Sequence, residues 1–137
     1  MKNLKINHLA AWLFSAIGWC ISGGWYAAFG DAWLQLIRRP EAEFKGRMDP
    51  WPYVLAFVAA LGINYLLAWF FKVLKVESAV TGLGIAMLCW VFFLFLPTLT
   101  QDIFSHDSYQ LTLINAGSYL GYFFVSGLGL GAWRKYE

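Results

Sequence analysis

"LINAGSYLGYFFVSGLGLGAW", residues 113–133, contains no acid and no base. About 20 residues of helix, rising 1.5 Å each, cross the roughly 30 Å of hydrocarbon in a bilayer. The polar residues of the stretch fall in helical register. Asn115, Tyr119, Tyr122 and Ser126 are spaced four, three and four apart and form one stripe. Small residues recur on the same period: Gly117 and Gly121 make one G-x-x-x-G pair, and Gly127 and Gly131 make another. Small residues at this spacing let the backbone of a second helix come close in lipid. The stretch therefore reads as a membrane-crossing helix made to pack. Its spacing leaves open whether the partner lies in the same chain or in a second copy.

Three more stretches share this character. Residues 9–30 carry no charge before Asp31, residues 52–71 none before Lys72, and residues 78–101 none before Asp102; the last such run is 108–133, ending at Arg134. Of the 137 residues, 60% are hydrophobic and only 13% charged, against about 25% charged in a soluble domain. A soluble four-helix bundle needs a polar face on every helix, and these segments offer only scattered Asn, Ser, Thr and Gly. The expected fold is all-α: a single polytopic transmembrane domain, residues 1–137, forming an antiparallel bundle of four transmembrane helices with a short interfacial helix after the first. The spans fall at about 9–30, 52–72, 79–99 and 109–131. A basic start, Met1 to Lys5, before an apolar run raises the question of a cleaved signal peptide. The run is too long, contains Trp12 and Trp19 and lacks an A-x-A site, so the first segment is expected to stay.

The connections carry their own signals. "DAWLQLIRR", residues 31–39, is amphipathic, with Trp33, Leu36 and Ile37 on one face. It reads either as a short interfacial helix after the first span or as that span continuing; Pro40 ends it in both cases. Residues 40–50 mix Glu41, Glu43 and Asp49 with Lys45 and Arg47 and read as a solvated loop. Pro50 and Pro52 mark the start of the second helix. "KVLKVES", residues 72–78, is a tight turn between antiparallel helices, and Pro97 is expected to kink or end the third. With four spans, Lys2, Lys5, Lys72, Lys75, Arg134 and Lys135 share one side and Arg38, Arg39, Lys45 and Arg47 the other. The distribution places both termini in the cytoplasm and the protein in the cell membrane.

Few residues are candidates for chemistry. Asn64 lies at the centre of the second span, where a buried amide needs partners. Either it bonds to another helix, at Ser15, Thr81, Asn115 or a backbone carbonyl, or it lines a polar cavity with Asn115, Tyr119, Tyr122 and Ser126. In the first span Gly18 and Ser22, with Ser15 a turn earlier, form a second surface for close packing. No charge lies deep in any span, whereas ion-coupled transport and proton relays usually need one. Asp102, His106 and Asp107 form the only titratable cluster and read as a solvated loop rather than a zinc site. Cys20 and Cys89 fall within spans as small apolar residues. No cofactor motif, metal set or catalytic residue is indicated, and a net charge of +2 spread over two sides of a membrane excludes nucleic acid.

"GGWYAAFGDAW", residues 23–33, resembles the signature of the DUF1761 family of small integral membrane proteins. Gly24, Trp25, Tyr26, Phe29, Gly30, Ala32 and Trp33 match, while Ala27-Ala28 replace the usual Ser-Pro and Asp31 replaces a lysine. The last helix is also similar, at Asn115, Gly117, Gly127 and Trp133, and the likeness covers nearly the whole chain. It implies a four-span membrane protein of no assigned function. Ser-Pro would kink the exit of the first helix; Ala27-Ala28 lets that helix run on. Trp25, Tyr26, Asp31 and Trp33 then suit an interfacial anchor, or the mouth of a site shared with the polar stripe of the fourth helix.

Three functions follow as expectations. The first is a small membrane protein that works by packing against itself, lipid or a partner membrane protein. The second is an oligomeric channel or carrier for a small neutral or zwitterionic solute. The third is a membrane-surface enzyme acting on lipid, with Asp102 and His106 converging on Asp31 or Asp49.

Overall fold

The computed structural model describes residues 3–39 and 49–136. The order of elements is β1 (Leu4–Lys5), α1 (His8–Ile37), α2 (Trp51–Val73), α3 (Ala79–Trp90), a π-helical turn (Val91–Phe95), α4 (Leu96–Phe104), α5 (Tyr109–Ala132) and β2 (Lys135–Tyr136). Three helical segments are long and apolar enough to cross a membrane: α2, the α3–α4 run from Ala79 to Phe104, and α5. The protein is an all-α bundle of membrane-type helices. By composition, three of the four expected spans meet that standard; in α1 the glycines, serines and tryptophans dilute the apolar character.

α1 is one helix of 30 residues. Asn7 caps its start, its Oδ1 accepting from the Ala10 N–H at 3.2 Å. Nothing interrupts it at Ala27-Ala28, so the separate interfacial helix expected after the first span is absent and residues 31–37 are its last turns. Arg38 ends it in the left-handed conformation, φ 55°. Lys75 and His106 take the same conformation, at φ 54° and 57°, just after α2 and α4. Pro40 and the charged loop residues Glu41, Glu43, Lys45 and Arg47 lie outside the described residues.

α2 begins where the prolines indicate, with Pro50 as its cap and Pro52 in its first turn; the Asp49 carboxylate accepts from the Trp51 N–H at 3.1 Å. Lys72 to Ser78 makes the tight turn, and the Ser78 hydroxyl caps α3 by accepting from the Thr81 N–H at 3.1 Å. Pro97 does not end the third span. Its ring would collide with the carbonyl four residues back in an α-helix, and it has no N–H to offer. The chain instead widens into the π turn, where the Leu96 N–H donates to the Val91 carbonyl, and Pro97 falls in the first turn of α4.

α5 is the centre of the bundle. α1 packs on one side of it, α3 on another, and α2 covers α1 and α5 together. Ala60, Leu67, Phe71, Tyr122, Phe123 and Leu130 belong to the core. The approach of α3 to α5 is set by glycine. A Cβ at Gly82 would strike the Gly127 carbonyl oxygen, one at Gly131 would sit 2.6 Å from the Ser78 oxygen, and one at Gly127 would sit 2.7 Å from the Ala86 Cβ. At the end of the bundle β1 pairs antiparallel with β2, Leu4 opposite Tyr136 and Lys5 opposite Lys135. The sequence pattern gives no sign of this ladder, which holds both ends of the described chain together.

Backbone cannot move aside as a side chain can, so Gly82→Ala is expected to lose about 1–3 kcal/mol of stability. Gly24, with open space around it, tolerates the same change or gains slightly. Thermal unfolding of the two variants in mild detergent separates these outcomes.

Candidate functional site

The densest polar arrangement among the described residues lies early in α5. The Trp25 indole donates to the Ile114 carbonyl at 2.8 Å, and the Trp90 indole donates to the Ala116 carbonyl at 2.9 Å. Between them the Asn115 side-chain oxygen accepts from the Tyr26 hydroxyl at 3.0 Å and from the Trp33 indole at 3.1 Å. A carbonyl in a helix keeps a second lone pair, so α5 takes these donors without giving up its own ladder. An indole N–H left unpaired in hydrocarbon is costly; here each is satisfied. Tyr26 and Trp33 are seven residues apart on one face of α1, and their rings meet edge to face at 6.2 Å. The polar ends of Trp25, Tyr26 and Trp33 thus face α5. Asp31, grouped with them from the sequence, is on the exposed side of α1.

The other residues of the polar stripe divide. Tyr119 and Tyr122 stack with ring centroids 5.3 Å apart. Tyr122 is buried against Gly18, where a Cβ would overlap its ring, and Ser22, one turn on, is half-buried and faces the Tyr122 hydroxyl. Ser126 is fully buried and its hydroxyl has no partner. Asn64, on α2, is also fully buried. Its Nδ2 donates to the Ala60 carbonyl of its own helix at 2.9 Å, while its Oδ1 has no partner. The bond expected between helices is therefore made within one. The same holds for Ser15, which donates to Ala11 at 2.6 Å.

Both G-x-x-x-G pairs find their partners in the same chain. Gly117 and Gly121 face α1: a Cβ at Gly117 would lie 2.7 Å from the Trp25 ring, and one at Gly121 would press on Ile21. Gly129, outside either pair, receives the Phe14 ring. Gly127 and Gly131 face α3. The helix spacing identified these glycines but not their division between two neighbours.

At one end of the bundle the Thr112 hydroxyl, fully buried, donates to the Asp102 carboxylate and ties α4 to the start of α5. His106 and Asp107 are exposed. Among the described residues no group of three His, Cys, Asp or Glu is placed to hold a metal. Cys20 and Cys89 are free thiols, the first exposed and the second half-buried. At the other end Arg134 Nη1 donates to the Leu130 carbonyl at 3.2 Å. Burial pushes its pKa below the ordinary arginine value, and its cation sits where the dipole of α5 favours one.

These features define a small helical membrane protein that holds its form through helix–helix contacts. The sequence profile of one family, "Protein of unknown function (DUF1761)", matches residues 9–131. The chain belongs to the DUF1761 family. No curated protein and no solved structure matches it.

Asn115→Ala leaves the Tyr26 hydroxyl and the Trp33 indole without their acceptor, at an expected cost of about 1–3 kcal/mol. Tyr26→Phe should cost less in the Asn115→Ala background than in the wild type. Additive losses in that double-mutant cycle, read by unfolding in detergent, would remove the bond from the account.

Proposed function

We propose that the chain crosses the membrane four times with both termini in the cytoplasm, and that it works as a self-contained bundle whose outer surface meets lipid or a partner membrane protein. The observation that carries this reading is the use of both glycine seams of α5 inside the chain. A surface spent on α1 and α3 is not left for assembly. The fourth crossing is supported by α1 lying along α5 over nearly the whole length of both. Asn7 donates to the Trp133 carbonyl near one end, and Trp33 reaches Asn115 near the other. The β1–β2 ladder keeps the two ends of the described chain on one side, which needs an even number of crossings. Lys5, Lys72, Lys75, Arg134 and Lys135 gather on that side, which the positive-inside rule assigns to the cytoplasm.

In a background without Cys20 and Cys89, single cysteines at Ser105 and Glu77 test the topology. A membrane-impermeant maleimide added to intact cells is expected to label Ser105→Cys and to spare Glu77→Cys. The reverse pattern overturns the orientation, and labelling of both overturns the crossing count.

A second reading draws on Asn64 Oδ1 and Ser126 Oγ, buried and without partners. Unpaired polar atoms in a bundle core favour an oligomeric channel or carrier for a small neutral or zwitterionic solute. Native mass spectrometry from mild detergent separates the two. The self-contained bundle predicts a monomer carrying at most lipid. A closed oligomer retaining a polar, non-lipid molecule would make transport the leading function.

A further inference from the structure

We propose that the cleft between α1 and the π turn is a binding site for one hydrocarbon chain of a membrane lipid. The proposal rests on the membrane-bundle reading above. The cleft has a volume of about 310 Å³, at the lower end of the roughly 300–1,000 Å³ of small-molecule sites. Its floor is one stripe of α5: Leu113, Gly117 and Leu120. One wall is Trp25 with Phe29, ring centroids 4.5 Å apart. The other is Trp90 with Phe95, stacked at 5.2 Å and 22°.

Direction, depth and polarity identify the occupant. The floor residues are spaced four and three apart, so the cleft runs along the helix axis, as a lipid chain does in a bilayer. At 1.5 Å per residue, the floor lies roughly 6–17 Å from the start of α5, within one leaflet's hydrocarbon. Neither indole offers a donor, because both N–H groups are already bound to Ile114 and Ala116 carbonyls. An apolar hollow of this kind stays dry, and an empty one forfeits dispersion contacts along its whole lining. Leu113, 51% exposed, and Leu120, 38% exposed, bring the cleft out to the lipid-facing surface, so a chain can enter from the side.

The site is also built, which separates it from ordinary lipid-facing surface. Trp90 and Phe95 are five residues apart. They would point in different directions on an α-helix and share a face only because the π turn lies between them. Their stack follows from the way the chain accommodates Pro97. The hydrogen bonds of Trp25 and Trp90 hold both rings in place before a ligand arrives, so little ordering is left to oppose binding. A chain in the cleft should therefore stay longer than one on the outer face of the same helices.

The test uses the full chain in phosphatidylcholine vesicles containing a phosphatidylcholine with a diazirine in one acyl chain. After irradiation, adducts are mapped by mass spectrometry. Labelling at Leu113, Leu120 and Phe95 is expected to exceed that at Phe93 and Leu88, exposed residues outside the cleft, by several-fold. Leu120→Trp, or the milder Leu113→Phe if the first does not fold, should lower cleft labelling several-fold and leave Phe93 unchanged. Cleft labelling no higher than at Phe93, or unaffected by filling, overturns the proposal and leaves the membrane bundle standing. Adducts absent from Phe93 as well would overturn both.

Discussion

Helices in a bilayer gain nothing by hiding leucine from lipid, because lipid is as apolar as leucine. Close contact between backbones is what holds them, and here it depends on α5. Its glycines admit α1 on one side and α3 on another. The approach at Gly82 and Gly127 is backbone to backbone, with no side chain between to adjust. Everything else in the bundle takes its position from that closeness. α2 has few glycines and packs as a cover over the helices already joined.

The indole and amide contacts depend on the same distance. Trp25, Tyr26 and Trp33 reach the Ile114–Asn115 turn because α1 lies against α5, and Trp90 reaches Ala116 because α3 does. A donor in hydrocarbon without an acceptor is costly, so these bonds also oppose rotation of either helix about its own axis. Glycine sets the spacing and the aromatic donors set the angle. Pro97 adds a third element. By turning one stretch into a π turn, it aligns Trp90 with Phe95 and leaves a hollow beside α5 instead of a closed seam.

The two ends of the bundle are treated differently. Where the termini meet, backbone pairing between β1 and β2, the Asn7 bond to Trp133 and the Arg134 contact with Leu130 close the structure. Toward the opposite end the ties are made by side chains: Thr112 with Asp102, and Trp33 with Asn115.

Much of the fold is legible in the sequence because membrane helices are specified locally. The charge-free runs gave three of the apolar helices to within a few residues, the prolines at 50 and 52 gave the start of α2, and the glycine spacing marked the packing helix. The π turn was missed because proline offers several local responses, among them a kink, an end and a widened turn, and the local sequence does not choose among them. The separate interfacial helix was expected because residues 31–39 are amphipathic; that face belongs to a helix packed on α5, where Trp33 bonds to Asn115. Asn115 with Tyr26 joins residues 89 apart. The period of one helix fixes which of its residues share a face, but not which neighbour that face meets or at what height. The sequence alone therefore determined the kind of protein and the faces of its helices. The tertiary structure alone decided their pairing, the shared acceptor at Asn115 and the cleft, because these depend on the mutual rotation and register of segments far apart in the chain.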